Sequence, residues 1–322
     1  MHSIFMFLSL ISQVNYSKPE SNNPEVKEFK FTAVNSPVTQ SLSDVKFSNS
    51  QVGYICGAGG TVLKTTDAGA NWSQLNTGSS GFFSTIFTVD TNIVYVGGFN
   101  GVFLKTTDGG NTWTPVTSPS SAANNHIWSI DFLDANTGFV TQGVDALKVY
   151  KTTNGGASWS ATDLTGQGGI PGTSIQFLNN KSGFLTTGDP GTLLKTTDGG
   201  VTWEQKITGV SQGITDVFFL DSNNGFVCDH NGVVRKTTDG GSVWTTLSTG
   251  ISTPLREIHF ANTKIGIAVG DNRTVMSTLD GGSTWKKEDL GLTGFVQGIY
   301  FVNETLGFLT AEGGKFFKIT LQ

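Results

Sequence analysis

Seven equivalent turn positions could bring carboxylates together on one surface of this 322-residue chain. Each position lies six residues before the point that Lys64 occupies in the first of seven repeated units. In chain order the seven residues are Ala58, Phe99, Asp145, Asp189, His230, Asp271 and Glu312. Units 3, 4, 6 and 7 are acidic there, unit 5 has His230 beside Asp229, and units 1 and 2 are apolar. The spacing therefore predicts a surface with an acidic arc and an apolar arc.

Carboxylates that converge in this way could recognise a basic protein segment or bind Ca²⁺. A pair of them, such as Asp229 and Asp271 in adjacent units, could also hydrolyse a glycosidic bond. The alternative is structural, because an Asp in a tight turn accepts hydrogen bonds from backbone N–H groups, as in Asp189-Pro190-Gly191. Both interpretations stay open, and a basic partner is the preferred ligand within the binding hypothesis.

Aromatic residues near the apolar arc could also contact a partner. Residues 117–125 form the longest connection of their kind and lead to His126 and Trp128, the one Trp outside the repeated motif described below. An exposed Trp is a frequent contact residue in interfaces, whereas a Trp that covers an inner strand would be structural. Phe99 belongs to the same predicted surface. Phe99 and Trp128 are therefore candidate binding residues.

A repeated motif, Thr-x-Asp/Asn-x-Gly-x-x-Trp, supplies the elements that must position these side chains. It occurs six times, with its acidic or amide residue at Asp67, Asp108, Asn154, Asp198, Asp239 and Asp280. Its tryptophans are Trp72, Trp113, Trp159, Trp203, Trp244 and Trp285. The steps of roughly 41 to 46 residues between them match the period of propeller blades. Six copies in register predict a β-propeller.

Each motif is predicted to lock a turn between two antiparallel strands. In the first copy, Asp67 can accept hydrogen bonds from backbone N–H groups two residues ahead. Gly69 permits a backbone conformation that other residues avoid. Trp72 opens the next strand and can fold its ring over the hairpin; Trp→Ala in a packed site costs about 3–5 kcal/mol. The motif is therefore interpreted as scaffold rather than as a chemical site.

The rest of the chain predicts seven units of up to four strands each. Inner strands alternate apolar residues, such as Val45 and Phe47, that should pack between blades, whereas Lys46 and His259 face the opposite way. Unit 7 lacks the motif, so residues 27–34 are predicted to supply its outer strand and close the ring. The third-strand lysines are interpreted as a solvated stripe: Lys64, Lys105, Lys151, Lys195, Lys236 and Lys318. The predicted fold is an all-β, seven-bladed propeller of four-stranded antiparallel blades.

These motifs resemble the Asp boxes, or BNR repeats, of sialidases, of some other glycosidases and of sortilin-type receptors. The form Leu-Lys-Thr-Thr-Asp-Gly-Gly-x-x-Trp, at residues 104–113 and 194–203, is most similar to the photosystem II stability/assembly factor family and its bacterial relatives. The resemblance covers residues 27–322. It implies a propeller whose boxes lie away from the functional face. It also implies a non-catalytic, chaperone-like scaffold that binds a membrane-protein subunit during assembly.

The arginines argue against sialidase activity. Resemblance to sialidases implies three arginines from separate blades, one of them ahead of the first box. This chain has only Arg235, Arg256 and Arg273, all in units 5 and 6. It also departs from the arginine-rich patch that resemblance to the assembly factors implies. The expected function is a non-enzymatic propeller that binds a protein, such as a membrane-protein subunit or a basic segment, or a surface glycan. A glycosidase that uses two carboxylates is the alternative.

Composition narrows the class of partner. The formal net charge of −5 disfavours a nucleic-acid partner. Cys56 and Cys228 fall on the same strand of units 1 and 5, far apart around the ring, and show no metal-ligand spacing. They are interpreted as buried small hydrophobic residues. No metal or cofactor is expected, and the protein is expected to be a monomer.

The N-terminal segment suggests export. Residues 1–17 include an apolar run at residues 4–11 that is too short to span a bilayer and is typical of the core of a secretory signal. No Lys or Arg precedes this run, and no small-x-small cleavage site follows it. Residues 18–26, with two prolines, are predicted to be a linker. A periplasmic, lumenal or secreted location is therefore expected, and no other stretch is apolar enough to cross a membrane.

Overall fold

The chain folds into a ring of seven blades. The computed structural model describes residues 27–119, 125–143, 147–167, 172–188, 190–206, 208–210 and 212–322. Its strands form seven four-stranded sheets in which neighbouring strands are antiparallel. The inner strand of each blade contacts the inner strand of the next, and the last contacts the first. The predicted all-β, seven-bladed propeller is confirmed. The predicted signal and linker, residues 1–17 and 18–26, lie outside the described residues.

The strands follow each other in chain order from the inner to the outer edge of each blade. After β1 (Phe29–Ala33), blades 1 to 3 contain β2 (Leu42–Phe47), β3 (Gly53–Gly57), β4 (Val62–Thr65), β5 (Ser73–Leu75), β6 (Phe83–Thr88), β7 (Val94–Gly98), β8 (Phe103–Thr106), β9 (Thr114–Pro115), β10 (Ile127–Phe132), β11 (Gly138–Gln142), β12 (Lys148–Thr152) and β13 (Ser160–Asp163). Blades 4 and 5 contain β14 (Gly172–Phe177), β15 (Gly183–Thr187), β16 (Leu193–Thr196), β17 (Glu204–Lys206), β18 (Ile214–Phe219), β19 (Gly225–Asp229), β20 (Val234–Thr237) and β21 (Thr245–Leu247). Blades 6 and 7 contain β22 (Leu255–Phe260), β23 (Gly266–Gly270), β24 (Thr274–Thr278), β25 (Lys286–Lys287), β26 (Val296–Asn303), β27 (Leu306–Ala311) and β28 (Phe316–Leu321). Two 3-10 turns, Ala58–Gly60 and Phe99–Gly101, follow β3 and β7.

The N-terminal strand completes the last blade. β1 pairs antiparallel with β28, from Phe29 opposite Leu321 to Ala33 opposite Phe317. Two further backbone hydrogen bonds join Glu28 and Gln322. Because β28 is the third strand of its sheet, this pairing covers an edge that would otherwise be free. The first and last parts of the propeller are therefore held in one sheet.

The core lies between blades rather than within them. The inner-strand pair is buried as predicted; Val45 is fully buried and Phe47 almost so. An aromatic ring on the second strand of one blade stacks on the inner-strand Phe of the next, as Phe139 does on Phe177 at 3.5 Å between ring centroids. In six blades, a glycine at or next to the start of the second strand leaves room for the Phe ring of the inner strand. In blade 2, Val94 stands opposite Thr88 instead. At Gly138, a Cβ atom would lie 2.3 Å from the Phe132 ring.

The Asp boxes lock the turns between third and fourth strands, with a different hydrogen-bond pattern from the predicted one. The Asp67 Oδ1 atom accepts the backbone N–H of Asn71, four residues ahead, at 2.9 Å. The N–H two residues ahead, that of Gly69, donates instead to Thr65 Oγ1 at 3.0 Å. The Thr65 hydroxyl in turn donates to Asp67 at 2.8 Å. The prediction of a two-residue reach was wrong because Gly69, with φ of 75°, turns its N–H back toward the preceding strand. The bond to the fourth residue recurs at Asp108, Asn154, Asp198, Asp239 and Asp280.

The box tryptophans pack at the boundaries between blades. The Trp72 ring meets Phe47 of its own blade edge-on at 5.9 Å and Phe308 of blade 7 at 5.8 Å. Trp159 likewise contacts rings of blades 2 and 3. Trp203, at 7% exposure, is buried. These contacts join adjacent sheets, which is a scaffold role.

The third-strand lysines do not form a solvated stripe. The Lys195 ammonium donates to the Gly240 carbonyl in the Asp box of the next blade at 2.6 Å. It also lies 5.3 Å from the centre of the Phe184 ring. The same carbonyl bond is made by Lys64, Lys105, Lys151 and Lys236. The solvated interpretation was wrong for these five because each stem crosses to the neighbouring blade, a contact that residue spacing within one strand does not reveal.

Candidate functional site

One face of the ring carries the turns between second and third strands together with the connections between blades; we call it the loop face. The turn at Ala58–Gly60 bonds to both neighbouring connections, through Ala58 N to Ser41 O at 2.9 Å and Gly60 N to Gly81 O at 2.6 Å. The Asp boxes lie at the other ends of the third strands. The predicted candidate residues that the structure describes are therefore on the face opposite to the boxes.

The predicted acidic arc contains residues with different surroundings. Asp229 is buried, and its Oδ1 atom accepts the N–H groups of Asn231 and Val233 at 2.8 and 2.9 Å. Its side chain therefore stabilises its own turn. The Asp271 carboxylate is paired with the Arg256 guanidinium. His230 is exposed and Glu312 is half-buried. Asp145 and Asp189 lie outside the described residues.

In the predicted apolar arc of Ala58 and Phe99, Phe99 belongs to a cluster of rings with Phe82, His126 and Trp128, which we call the aromatic patch. Phe99 meets Phe82 edge-on at 4.8 Å and His126 at 4.4 Å. His126 in turn meets Trp128 at 5.1 Å. Trp128 is 36% exposed, and its Nε1–H donates to the Gly143 carbonyl at 2.9 Å. The indole is thus held in one orientation with part of its face open to solvent.

A second partly exposed ring lies on the blade 6 and 7 side of the loop face. Phe295 is 38% exposed, and the Arg256 guanidinium lies over it at 4.8 Å from the ring centre. Arg256 belongs to inner strand β22, as Trp128 belongs to inner strand β10. Both residues line the central cavity of the ring. Trp128 is therefore part of the cavity wall, and Phe295 lies against Arg256, a second residue of that wall.

The central channel is a polar cavity of about 310 Å³ that the turn-based sequence interpretation missed. Each inner strand has a register shift near its start, for example between Leu42 and Asp44. The same irregularity occurs in the other six blades. A bulge of this kind re-aims side chains, and consecutive residues such as Arg256 and Glu257 both line the channel. The period-two alternation that indicated Lys46 and His259 was the signal that could have identified Asp44 and Glu257, but it does not indicate the bulge residue Arg256.

The channel carboxylates join adjacent blades. Asp44 accepts the N–H of Ile86 in the next inner strand at 3.0 Å. Asp216 does the same for Ile258, and Glu257 for Ile299, each at 3.0 Å. A buried backbone N–H needs such an acceptor. These carboxylates therefore have a structural role that does not depend on any ligand.

Lys46 provides the central positive charge. Its Nζ atom lies 2.9 Å from Asp44 Oδ1 and 3.0 Å from Glu257 Oε1. Burial opposes the charged form, but the two carboxylates outweigh it and hold the pKa of Lys46 above its usual range. Burial raises the pKa of Glu257 against the attraction of Lys46. The three side chains form one coupled cluster.

Other channel groups have strongly shifted pKa values. Burial raises the pKa of Asp131 to about 7 and that of Asp216 to about 6. Burial lowers the pKa of His259 to about 3, so that its imidazole is neutral at physiological pH. The Nδ1 atom of His259 faces the N–H of Phe301 at 3.4 Å. Perturbed groups in a cleft mark a candidate site, although here they also serve the packing between blades.

Within the described ranges, no group of three or more His, Cys, Asp or Glu side chains is arranged to hold a metal ion. Cys56 and Cys228 are both buried free thiols. The same part of the chain contains no helix with the length and apolar character needed to cross a membrane.

Solved structures of several propellers are similar to this one. A structure of YCF48 bound to a D1 peptide shares 18% identity at a TM-score of 0.71, covering 90% of this chain and 96% of that one. YCF48 from Cyanidioschyzon merolae shares 20% sequence identity at a TM-score of 0.71, covering 91% of this chain and 98% of that one. The GH74 xyloglucanase from Xanthomonas campestris shares 12% sequence identity at a TM-score of 0.69, covering 90% of this chain and 53% of that one. The present chain thus spans about half the length of that enzyme. At these identities the similarities show the fold alone.

Sequence comparison identifies the family of this chain. No curated protein matches the chain. The family model described as photosynthesis system II assembly factor YCF48 matches residues 23–170, 117–210 and 242–313. Together these segments cover more than half of the sequence. The chain therefore belongs to the YCF48 family of photosynthesis system II assembly factors.

Proposed function

We propose that this protein is a non-catalytic scaffold that binds a segment of a protein partner on its loop face, in an assembly role. The observation that carries the proposal is the pair of exposed rings, Trp128 in the channel lining and Phe295 against Arg256 of the same lining. Within the described part of the chain, four large hydrophobic residues are exposed, and these two share the loop face. Aromatic anchors in a polar setting are typical of protein interfaces.

The surroundings of the two rings suit an extended segment. Trp128 is fixed by its bond to Gly143 and Phe295 by the Arg256 guanidinium. Rigid rings lose little conformational entropy on binding. Arg256 and Glu312 offer polar contacts beside Phe295. A structure of YCF48 bound to a D1 peptide is similar to this one, which supports a peptide segment of a protein as the ligand here.

The carboxylates near the loop face favour binding over hydrolysis. A two-carboxylate glycosidase needs one proton donor and one base or nucleophile free to reach the sugar. Asp229 is engaged by two backbone N–H groups and Asp271 by Arg256. In the channel, Lys46 holds Asp44 and Glu257, and three hydrogen-bond donors engage Asp216. Among the described residues that line the channel, Asp131 keeps one oxygen free, and a single free carboxylate does not make the required pair. We therefore propose a binding protein, with a glycan-binding or glycosidase propeller as the alternative class.

Export completes the proposal. It rests on the apolar run at residues 4–11, and it would bring the propeller to the periplasmic, lumenal or external side of a membrane. Fractionation of host cells with an antibody to the propeller tests it. Recovery of the protein in the cytoplasmic fraction alone would contradict export without affecting the binding proposal.

A capture experiment with a matched control tests the binding face. The bait variant is Trp128→Ser/Phe295→Ser, and the control is Val201→Ser/Val243→Ser, which removes two exposed apolar residues from Asp-box turns. We expect a membrane-protein subunit from the host envelope to be retained by wild type and control and lost from the bait variant. Equal retention by all three would contradict the proposed face. Hydrolysis of a glycan panel that includes xyloglucan would support the enzyme alternative.

A further inference from the structure

Asp131 is a buried carboxylate with an unused oxygen in the central channel. It lies on inner strand β10, lines the cavity and is 9% exposed. Its Oδ2 atom accepts the N–H of Phe177 in the next blade. Among the described residues, no hydrogen-bond donor and no cation pairs with its Oδ1 atom. Burial of a carboxylate costs desolvation free energy when one of its oxygens has no partner, and a ligand that pairs with this oxygen could offset that cost.

The bond between blades does not require a charge at this position. Gln176 and His259 occupy the equivalent position in blades 4 and 6. Gln176 accepts the N–H of Phe219 at 2.7 Å and donates to the Phe219 carbonyl at 3.1 Å. His259 faces the N–H of Phe301 with a neutral ring nitrogen. Since neutral side chains perform the same task, the charge of Asp131 exceeds what the fold needs.

The other channel charges already have partners. Lys46 is shared by Asp44 and Glu257. Asp216 accepts three hydrogen bonds, from the Ser174 hydroxyl and from the N–H groups of Val217 and Ile258. Arg256 is engaged by Asp271 outside the channel lining. Asp131 is therefore the carboxylate of this cavity that is best placed to accept a new cation.

The cavity fits a slender group that enters from the loop face. Its volume of about 310 Å³ is at the lower limit of small-ligand pockets. Trp128 lies three residues before Asp131 on the same strand, which corresponds to roughly 10 Å along the channel. Hydroxyl groups of Ser84, Thr173 and Thr215 line the upper part. This path suits a flexible aliphatic chain with a charged tip and excludes a folded surface.

We propose that the channel binds a primary aliphatic ammonium group, which passes Trp128 and pairs with Asp131 Oδ1. A lysine side chain from a bound protein segment and a free polyamine share this chemistry. The lysine source rests on the proposed function, because the segment would lie across the loop face. The polyamine source does not depend on it.

The ionisation of Asp131 gives the site a pH dependence. Burial raises its pKa to about 7, so ammonium binding should strengthen as pH rises through that value. Titratable and charged side chains that face the same channel are Asp44, Lys46, Asp216, Arg256, Glu257 and His259. His259 stays neutral in this range because its pKa is about 3. Asp216, with a pKa of about 6, adds negative charge over the same interval and acts in the same direction.

NMR titration with defined probes tests the site. The probes are acetyl-Gly-Lys-Gly-amide, its norleucine analogue, which lacks the ammonium, and spermidine. The Trp128 indole N–H signal reports on the channel mouth, and its assignment comes from Trp128→Phe. At pH 8 we expect the lysine peptide or spermidine to shift this signal and the norleucine peptide to leave it unchanged. Asp131→Asn keeps the acceptor for Phe177 and should weaken binding at least tenfold, a loss of about 1.4 kcal/mol. Glu304→Gln, the same charge change at an exposed turn, should bind as wild type does.

The outcomes separate the proposals. Binding of the lysine and norleucine peptides with the same affinity, no binding of either amine probe, or full binding by Asp131→Asn would overturn the ammonium site. Spermidine binding without lysine-peptide binding would support the site and identify the free amine as its ligand, leaving the loop-face proposal to the capture experiment. If Asp131→Asn does not fold, the wild-type titration at pH 5.5 and 8 decides, since binding that is independent of pH would also overturn the site.

Discussion

The Lys46 ammonium and the Glu257 carboxylate, 211 positions apart in the chain, lie 3.0 Å from each other inside the channel. Lys46 belongs to blade 1 and Glu257 to blade 6, so their ion pair reaches past blade 7. Asp44 shares the same ammonium at 2.9 Å. The pair thus connects blades on both sides of the point where the ring closes.

Loss of the Lys46 charge should destabilise the protein. Lys46→Met leaves Asp44 and Glu257 facing each other without a cation, and breaking a buried pair in this way costs about 3 kcal/mol. Urea unfolding at pH 8 measures the change in free energy. Lys46→Met/Glu257→Gln removes the repulsion and should recover a large part of the loss. A double variant that is as unstable as the single one would show that packing, rather than charge, is the cause.

The channel carboxylates should make the protein less stable at high pH than at pH 5. Asp131 has a folded pKa of about 7, above the usual value near 4, so the folded state holds more protons than the unfolded state between these values. The contribution of protonated Asp131 to folding stability is therefore fully present below about pH 4, and it is lost as the pH rises through about 7. Asp216 acts in the same direction with a pKa of about 6. We expect Tm to fall between pH 5 and pH 8.5.

The variant Asp131→Asn isolates this effect. It removes one titrating group while keeping the acceptor for Phe177, so the fall in Tm should be smaller than in wild type and the variant should be the more stable protein at pH 8.5. Scanning calorimetry at both pH values measures this. Glu304→Gln should retain the full wild-type fall. An unchanged pH profile in Asp131→Asn would mean that this carboxyl does not titrate in the expected range.

Lysines that bond to the neighbouring blade should stabilise the protein more than exposed lysines do. Lys195→Met loses the bond to the Gly240 carbonyl and should cost about 1–2 kcal/mol, because hydrogen bonds to charged groups are stronger than neutral ones. Lys264→Met, at an exposed position, provides the comparison. Denaturant unfolding of both variants measures the difference. Equal stability of the two would support the solvated interpretation that the structure contradicts.

Ring closure by β1 should be needed for stability. Deletion of residues 27–34 removes the strand that pairs with β28 and uncovers the Phe317 and Ile319 region of the last blade. We expect a lower unfolding midpoint and increased self-association, since a free sheet edge pairs with other chains. Calorimetry and light scattering measure the two effects. Unchanged stability after the deletion would show that three strands suffice for the last blade.

The sequence by itself determined the architecture, because each blade repeats a local code. The six boxes, with Asp67 and Trp72 in the first, specify a turn and a packed ring within a few residues of each other. The alternation of Val45 and Phe47 specifies a strand with one buried side. The closing strand was also predictable, since a last blade without a box lacks an outer strand. Such features depend on residues that are near in sequence.

The tertiary structure alone decided which partners the charged residues meet. Lys46 and Glu257, or Lys195 and Gly240, become neighbours only when seven blades are placed around one axis. The bulge at the start of each inner strand turns consecutive side chains into the channel, which strict alternation does not anticipate. The pairing of Asp271 with Arg256 likewise depends on how a turn and an inner strand of blade 6 meet. Long-range contacts of this kind depend on how the strands and turns pack together in three dimensions, and no local pattern encodes them.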